Sequence, residues 1–428
     1  MEHAVSDIEY CKHAFERFND IGSLPEGGVT RLGYTHTEDL MHEAFKDLGR
    51  ELGCTSLTDE VGNTYTLNDA AATAPAAKPP AGAQIANAQS DTANGPGYIL
   101  IGSHLDSVIE GGRFDGVAGI VAGLMVVRWA QRDGLSIPLR VGAFRCEESS
   151  NFGCCTIGSG LITHEVYKQD IGHLAAKDGE TLEQIFWRRG LSLRPKKISG
   201  VSKYLELHIE QGKVLEETGT HVGIVGTIAG PKRFRLHLKG TAEHSGATPM
   251  SMRNDALCAA AEIILEIEKM GRREAPFKSV ATVGVIENSP DAMNVIPGRV
   301  DLGVDIRGID RDSLARMERG LLASVERICD ERGITHSEEK ISDIPPISLS
   351  GDVEDGLERA STDLGISSLR MPSGAGHDAM SFADICPSGM VFIPCLKGIS
   401  HNPAEYASEE SVCDGARVLY EYLKGEAR

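Results

Sequence analysis

The spacing of apolar residues predicts that strands and helices alternate along the first half of the chain. Within residues 1–60, Leu40, Phe45 and Leu48 recur at helical spacing, so this region is predicted to be helical. Short apolar runs then predict strands, with one amphipathic helix between them. The strands are expected at 98–101, 139–144 and 204–208, after a turn entering a strand at 61–66, and the helix is expected at 116–131. This alternation is typical of a mostly parallel sheet covered by helices on both faces.

The pattern changes after about residue 223 and changes back after about residue 346. In between, the order is strand, helix, two strands and helix, which is typical of a ferredoxin-like α/β sandwich. These elements are expected at 234–238, 256–270, 280–286, 299–306 and 312–332. The first pattern then returns, with a helix at 378–385, a strand at 390–394 and a final helix at 409–424.

We therefore predict an α/β protein whose larger, parallel-sheet domain is formed by two separate stretches of the chain. Residues 1–225 and 345–428 form this domain, and residues 226–344 form the smaller ferredoxin-like domain inserted into it. Residues 68–97 are rich in Ala, Pro, Gly, Asn and Gln and have almost no large apolar side chains. Such a segment cannot bury enough surface to order itself, so we expect a mobile surface insertion.

Composition and charge narrow the possible partners. A chain of 428 residues is too long for one ordinary core, which favours two domains. The formal net charge of −19 repels phosphate backbones and argues against nucleic-acid binding, so an anionic substrate needs locally placed cations. The sequence shows neither an apolar run long enough for a membrane helix nor the start of a signal peptide, so we expect a cytoplasmic protein. The ten cysteines lack framework spacing and are expected to be reduced.

Chemistry-bearing residues follow the predicted strands. His104 lies just past a strand and can ligate a metal, while Asp106 can hydrogen-bond the other nitrogen of its ring. Asp115 lies between glycines immediately before a helix, where its carboxylate can bridge two cations. Glu147 and Glu148 follow the next strand, and such a pair can divide the work between metal ligation and general-base catalysis.

Two further histidines complete the set, His208 at the end of a strand and His401 just beyond the last one. Each residue has an ordinary structural explanation, because a single His at a strand end is usually hydrogen-bonded and an Asp between glycines often forms a turn. Five candidate ligands, nearly all at predicted strand ends of one sheet, are harder to explain that way. Nitrogen and oxygen donors without thiolates favour two zinc ions and also suit manganese or cobalt. The set comprises His104, Asp115, Glu148, His208 and His401.

These segments, in this order, resemble the hydantoinase/carbamoylase family of dinuclear metal amidohydrolases, within the aminoacylase-like metallopeptidase group. The motifs are Gly-Ser-His-Leu-Asp-Ser at 102–107, Gly-Gly-Arg-Phe-Asp-Gly at 111–116 and His-Ile-Glu-Gln-Gly at 208–212. The resemblance runs from about residue 28 to residue 403 and omits the Ala/Pro-rich segment. It implies one metal held by His104, Asp115 and His208, and a second held by Asp115, Glu148 and His401.

The resemblance also implies roles for residues that do not ligate metal. Glu147 is expected to be the general base, and His244 is expected to stabilise the developing oxyanion. The residues expected to bind substrate are Gln211, Asn294, Arg307 and Gly376. The smaller domain is expected to form a homodimer interface and to close as a lid.

The favoured reaction is hydrolysis of an N-carbamoyl amino acid to the amino acid, carbon dioxide and ammonia. Arg307 supports a carboxylate-bearing substrate, whereas an aminopeptidase needs an acidic group to hold a free ammonium. Other reactions stay open, namely those of an allantoate amidohydrolase, a β-ureidopropionase, or a dinuclear aminoacylase or dipeptidase. A binding protein that keeps the fold without catalysis is also open. The segment after the Glu pair, Ser-Ser-Asn-Phe at 149–152, departs from the Gly-Ser-Arg-Phe of many relatives, and this difference touches no proposed metal ligand.

Overall fold

The computed structural model describes residues 6–68, 97–164 and 170–427. The chain divides into two compact units, the first formed by Met1–Gly226 with Ser348–Arg428 and the second by Thr227–Ile347. The mobile insertion predicted at 68–97 lies outside the described residues, except for Asn68 and Gly97 at its ends. Asn68 belongs to a strand rather than to the insertion.

The strands and helices are numbered along the chain. The strands are β1 (Thr55–Thr58), β2 (Thr64–Asn68), β3 (Tyr98–His104), β4 (Leu139–Phe144), β5 (Val201–Ile209), β6 (Val222–Ile228), β7 (Gly230–Lys239), β8 (Val280–Ser289), β9 (Arg299–Gly308), β10 (Thr335–Asp343), β11 (Ile347–Ser348), β12 (Ser368–Ser373) and β13 (Ser388–Ile393). The helices are α1 (Asp7–Asn19), α2 (His36–Glu51), α3 (Val117–Asp133), α4 (Ile157–Thr163), α5 (Leu182–Arg189), α6 (Val214–Thr218), α7 (Ala256–Glu274), α8 (Arg311–Arg332), α9 (Gly351–Asp363), α10 (Ala379–Phe382) and α11 (Glu409–Glu426).

The larger unit contains a sheet in the order β1-β2-β4-β3-β5-β13-β6-β11, with β12 paired to β6. Its central strands β4, β3, β5 and β13 run parallel to one another. Antiparallel strands flank them, β2 beside β4 and β6 beside β13. Every residue of β3 is buried, as expected for a parallel strand covered on both faces. The predicted α/β class with a mainly parallel sheet is confirmed.

Helix α3 packs tightly against this sheet. It is apolar on nearly all sides, and its buried residues join those of α1, α11 and the central strands in one core. A Cβ on Gly119 would lie 2.3 Å from the carbonyl oxygen of Leu207 in β5, so only glycine allows the helix to come this close. The close approach places the N-terminus of α3, and Asp115 just before it, near the carboxyl end of β5.

The smaller unit has the order β7-α7-β8-β9-α8-β10, and its antiparallel sheet has the strand order β10-β7-β9-β8. This is the ferredoxin-like arrangement that the sequence predicts. Its core is formed by one face of the sheet and the apolar faces of α7 and α8. The fourth strand, β10, was not predicted, because its sequence is polar and mostly exposed and shows no apolar alternation.

Other differences from the sequence prediction are local. The region 1–60 is not all helical, because residues 55–58 form β1, which pairs with β2 in an antiparallel hairpin. The helix predicted at 378–385 is only the short α10, and α9 was not predicted. Within the described ranges, we find no helix with the length and apolarity needed to cross a membrane.

Candidate metal centre

Four candidate ligands lie at or beyond the carboxyl ends of neighbouring parallel strands. His104 is the last residue of β3 and His208 is the second-to-last residue of the adjacent β5. Glu148 follows β4, on the other side of β3, and His401 follows β13, on the other side of β5. Since parallel strands end at the same edge of a sheet, these side chains meet although far apart in sequence.

Asp115 lies at the centre of the cluster and joins two groups of side chains. Its Oδ1 lies 3.2 Å from His104 Nε2 and 3.1 Å from His208 Nε2. Its Oδ2 lies 3.6 Å from His401 Nε2, which in turn lies 3.0 Å from Glu148 Oε1. In each group, one potential ligand atom from each of the three residues lies within 4.8 Å of the other two.

The chemistry of the donors fits a pair of divalent cations. Asp115 Oδ1 is buried and accepts no hydrogen bond from the described part of the chain, although two ring nitrogens face it. Two imidazoles and a carboxylate oxygen converging on one point are a typical zinc donor set, and the carboxylate-rich second group suits zinc, manganese or cobalt. Asp115 offers one oxygen to each group, as a bridging carboxylate does.

Backbone carbonyls orient the two buried imidazoles. His104 Nδ1 lies 3.2 Å from the carbonyl oxygen of Asp106, and His208 Nδ1 lies 2.9 Å from that of Ile209. Each Nδ1 therefore donates its proton to a carbonyl, so Nε2 is the ring nitrogen that faces Asp115 and could ligate a cation. The Asp106 carboxylate was predicted to hydrogen-bond this ring, and its Oδ1 lies 3.4 Å from His104 Nδ1.

The shortest hydrogen bonds of the Asp106 carboxylate hold the loop after β4. Asp106 Oδ1 accepts the N–H of Glu147 and Oδ2 accepts the N–H of Glu148, both at 3.0 Å. Glu38 Oε1 accepts the preceding N–H, that of Cys146, at 2.9 Å. Two buried carboxylates thus hold three consecutive backbone amides at the position of the Glu pair.

Glu405 holds the loop that carries Asp115. Its Oε1 accepts the N–H groups of Phe114 at 2.9 Å and Asp115 at 3.0 Å. Ser400 Oγ lies 3.0 Å from both Glu405 Oε2 and Asp115 Oδ2. A Cβ on Gly112 would lie 2.0 Å from the Glu405 carboxylate, so the glycine makes room for it.

The cluster strongly perturbs its own acid–base groups. Burial raises the pKa of Asp115, but the neighbouring His208 and His104 outweigh it and hold this pKa well below its usual range. Burial lowers the pKa of His104, but Asp106 and Asp115 outweigh this effect and raise it well above its usual value. The hydrogen bond with Glu148 raises the pKa of His401 to about 9. These shifts have one cause, which is that the buried carboxylates of the cluster stabilise positive charge beside them. Bound cations would supply such charge.

Glu147 lies beside the ligand groups without joining either. Its Oε2 lies 3.9 Å from His104 Nε2, and the side chain is buried. Burial raises the pKa of Glu147 well above its usual value, and Glu148 raises it further, against the opposing effect of His104. A buried carboxylate whose pKa is raised in this way is a stronger base than one exposed to solvent.

Two of the residues expected to bind substrate lie close to the cluster. Gln211 has a positive φ of 57° and donates from Nε2 to Asp115 Oδ2 at 2.7 Å. Its buried Oε1 accepts no hydrogen bond from the described residues, so it remains an available acceptor. Gly376 precedes the buried His377, whose ring centroid lies 4.5 Å from that of His208. Ser373 fixes this loop by a 2.7 Å hydrogen bond to His377 Nε2.

The two remaining substrate residues, Asn294 and Arg307, lie in the smaller unit together with His244, and these three residues fall into two places. The segments that carry His244 and Asn294 pair side by side. His244 forms an isolated antiparallel β-bridge with Val295, and the N–H of Ser245 donates to the carbonyl oxygen of Asn294. These segments lie beside the start of β9, because Gly240 N–H donates to the carbonyl of Gly298. Arg307 lies near the other end of β9. A strand rises about 3.3 Å per residue, which puts the two places about 26 Å apart.

Arg307 also has a carboxylate beside it within the smaller unit. Its Nε donates to Asp305 Oδ2 at 3.0 Å, which orients the guanidinium along the strand. The structure therefore brings His244 and Asn294 together and keeps Arg307 apart from both.

Several residues that hold the site were not predicted as part of it, among them Glu38, Ser400, Glu405, Glu206 and Asp378. Asp378 Oδ1 accepts from Ser159 Oγ at 2.6 Å, and Glu206 Oε2 accepts the N–H of Ala379 at 2.9 Å. Burial raises the pKa of Asp378 to about 8. The available sequence signal was that Glu206 is an acidic residue within the apolar strand predicted at 204–208.

Comparison with known proteins gives consistent similarities over nearly the whole chain. Residues 100–425 match the family described as Peptidase family M20/M25/M40. An N-carbamoyl-L-amino acid amidohydrolase of Geobacillus stearothermophilus is 36% identical over 410 residues, which cover 94% of each chain. An allantoate amidohydrolase of Escherichia coli is 31% identical over 427 residues, covering 96% of this chain and 97% of the relative.

Solved structures are similar in fold as well. An amidase of the hydantoinase/carbamoylase family from Burkholderia multivorans superposes with a TM-score of 0.84 at 31% identity. The match covers 99% of this chain and 98% of that one. The similarity therefore includes both units.

Proposed function

The chain belongs to peptidase family M20/M25/M40, its predicted resemblance to hydantoinase/carbamoylase amidases is confirmed, and on this basis we propose that it is a metal-dependent amidohydrolase. The proposed substrate is an N-carbamoyl amino acid. Water adds to the ureido carbon, the bond from that carbon to the amino-acid nitrogen breaks, and the released carbamate yields carbon dioxide and ammonia. The relative from Geobacillus stearothermophilus, named for this activity, supports the proposal.

The observation that carries the proposal is the sharing of Asp115 between two donor groups. One metal would be held by His104, Asp115 and His208, and the other by Asp115, Glu148 and His401. When bound, two such cations polarise the substrate carbonyl and lower the pKa of water toward neutrality. Zinc is the first candidate, with manganese and cobalt as alternatives.

Glu147 would move the proton during hydrolysis. Its carboxylate accepts a proton from the attacking water and later delivers it to the leaving nitrogen. The raised pKa of Glu147 supports this role, because burial and the neighbouring Glu148 make its carboxylate a stronger base than a solvated one. Its buried position also keeps bulk water from competing for that proton.

The residues of the smaller unit would bind and polarise the substrate. Arg307 would pair with the substrate carboxylate through a bidentate contact, held in orientation by Asp305. His244 would donate a hydrogen bond to the developing oxyanion, with Asn294 beside it. In the larger unit, Gln211 and Gly376 would line the pocket beside the metal ligands.

The separation of these residues supports a homodimer. A small ureido acid cannot touch both Arg307 and the His244 segment of one smaller unit, because about 26 Å of strand separates them. We therefore propose that each substrate meets Arg307 from one chain and His244 from another. The smaller unit would form the dimer interface and act as a lid.

An assay of ammonia release tests the proposed reaction. The purified protein is loaded with zinc, manganese or cobalt and given N-carbamoyl-L-amino acids, N-carbamoyl-β-alanine and allantoate. Amino-acid release from N-acyl amino acids and dipeptides is measured in parallel, and the Asp115→Asn variant is the control. The highest kcat/KM on N-carbamoyl-L-amino acids is expected, whereas turnover of only dipeptides or acyl compounds would contradict the proposal.

A second candidate is hydrolysis of allantoate, which also carries a carboxylate and ureido groups. The relative named allantoate amidohydrolase, at 31% identity, favours it. The same assay separates the two, because each predicts a different preferred compound.

A further inference from the structure

Glu38 lies in the first turn of α2 and is fully buried, although it belongs to neither donor group. Its two oxygens have different partners. Oε2 accepts the N–H of Tyr34 at 2.7 Å and Arg145 Nη1 at 2.8 Å. Oε1 accepts the N–H of Cys146 at 2.9 Å, its one hydrogen bond within the described ranges. A buried acid on a distant helix thus reaches the residue just before Glu147.

The backbone at Cys146 needs such support. Its φ of 52° lies in the left-handed region, which a residue with a side chain adopts only when its surroundings fix it. Gly33 packs directly against it, and a Cβ there would lie 2.8 Å from Cys146 Cα. The conformation of Cys146 sets the direction in which the chain leaves β4 and therefore where Glu147 points.

We propose that Glu38 is a positioning residue, which aims the general base Glu147 by holding the N–H of Cys146. This inference rests on the proposed function for the role of Glu147. Asp106 holds the next two amides, so the loop is fixed at three consecutive N–H groups by carboxylates from two different segments. Glu38 acts through the backbone and does not touch the substrate.

Arg145 offers a way to separate this role from simple support of the fold. Its Nη1 donates to Glu38 Oε2 at 2.8 Å and also to Asp39 Oδ1 at 2.7 Å. Asp39 is thus a second carboxylate on the same guanidinium, and its Oδ1 also accepts from Arg189. Both acids support the Arg145 ion pair, but Glu38 is the one that bonds Cys146.

The Glu38→Gln substitution is selective for the Cys146 bond. Two donors face Oε2 and one faces Oε1, so the glutamine carbonyl oxygen takes the Oε2 position. Its NH2 group then faces the N–H of Cys146, and that hydrogen bond is lost. Asp39→Asn is the matched control, because it weakens the Arg145 ion pair and leaves the Cys146 bond intact.

The experiment measures kcat, KM, metal content and hydrogen–deuterium exchange for the wild type and both variants. For E38Q we expect kcat to fall about 10- to 100-fold, as misplaced catalytic groups typically cause, with KM within about twofold. Metal content should match the wild type, and the peptide spanning residues 146–148 should exchange faster. D39N should keep the kcat and the exchange rate of the wild type.

An equal loss of kcat in D39N, or unchanged kcat and exchange in E38Q, would overturn the proposal. If E38Q does not fold, Glu38→Asp replaces it with the same expectation, since it keeps the charge beside Arg145 but shortens the reach to Cys146. If the wild type hydrolyses none of the compounds, the proposed function fails. The exchange measurement then still decides whether Glu38 holds this loop.

Discussion

Glu405 Oε1 accepts the backbone N–H of Asp115 at 3.0 Å, across 290 positions of sequence. The contact joins the loop before α3 to the loop that carries His401. Ser400 Oγ also bridges the carboxylates of Glu405 and Asp115. A change at Glu405 therefore disturbs Asp115, which both donor groups share, together with the segment that carries His401.

The Glu405→Ala variant is expected to bind divalent metal about 10- to 100-fold more weakly, as loss of residues that orient ligands usually does. The reason is that the N–H groups of Phe114 and Asp115 lose their acceptor. Titration calorimetry with zinc or manganese measures the change. Glu410→Ala, an exposed position on α11, is the control, and equal affinities in the two variants would contradict the prediction.

Metal binding should stabilise the fold. The cluster buries several carboxylates that cations neutralise, so a ligand at 100 times its Kd adds about 2.7 kcal/mol to the free energy of unfolding. Thermal denaturation after chelation, and again after adding zinc, measures this shift in Tm. Asp115→Asn should abolish most of it, and a Tm that is insensitive to both chelator and metal would argue against the site.

Replacing Arg307 should weaken carboxylate recognition. For Arg307→Ala we expect KM to rise about 10- to 100-fold, since a charge-assisted hydrogen bond contributes about 1.5–3 kcal/mol. Steady-state kinetics on the best ureido acid measures this, with the exposed Arg311→Ala as control. An unchanged KM would remove Arg307 from the substrate site.

Complementation between inactive chains tests whether two chains share a site. Mixed dimers of one His244→Ala chain and one Arg307→Ala chain carry one intact and one doubly defective site if the residues act across chains. Such dimers, isolated with two affinity tags, should have about half the wild-type activity. Failure to isolate mixed dimers, or mixed dimers as inactive as their parents, would contradict the sharing.

Acid should weaken the smaller unit through Asp301. This buried carboxylate lies 2.6 Å from His237 Nδ1 and 2.6 Å from Arg299 Nη2. Burial raises the pKa of Asp301, but His237 and Arg299 outweigh it and leave this pKa below its ordinary 3.8. The carboxylate is therefore bound more favourably in the folded state, and its contribution is fully present above pH 3.8 and lost as pH falls through the folded pKa.

Asp301→Asn should accordingly destabilise the protein by about 1–3 kcal/mol near pH 7, and by less in acid. Urea denaturation of wild type and variant at several pH values measures the difference. A difference that does not change with pH would show that the charge on Asp301 is irrelevant.

The sequence predicted the donor groups better than the residues that hold them. His104 and His208 end apolar runs that predict parallel strands, and strand ends in such sheets meet at one edge. Glu38 gave no such signal, because a Glu in the first turn of a helix usually interacts with the helix dipole in solvent. Its contact with Cys146 depends on the packing of α2, which local sequence does not reveal.

The fold could be predicted where burial produces a periodic pattern. Strand β3 is buried throughout and was recognised, whereas β10 is exposed and polar and was not. The separation of Arg307 from His244 also required the register of β7 with β9, since a motif gives the identity of a residue and not its place along a strand.

His401 and Asp115 lie far apart in the sequence, although both belong to the second donor group. The ribosome must therefore synthesise the chain past His401 before both donor groups can be assembled. Truncated products of translation or proteolysis that end before His401 lack a member of the second donor group. Synthesis itself thus keeps incomplete chains from acquiring the full hydrolytic centre.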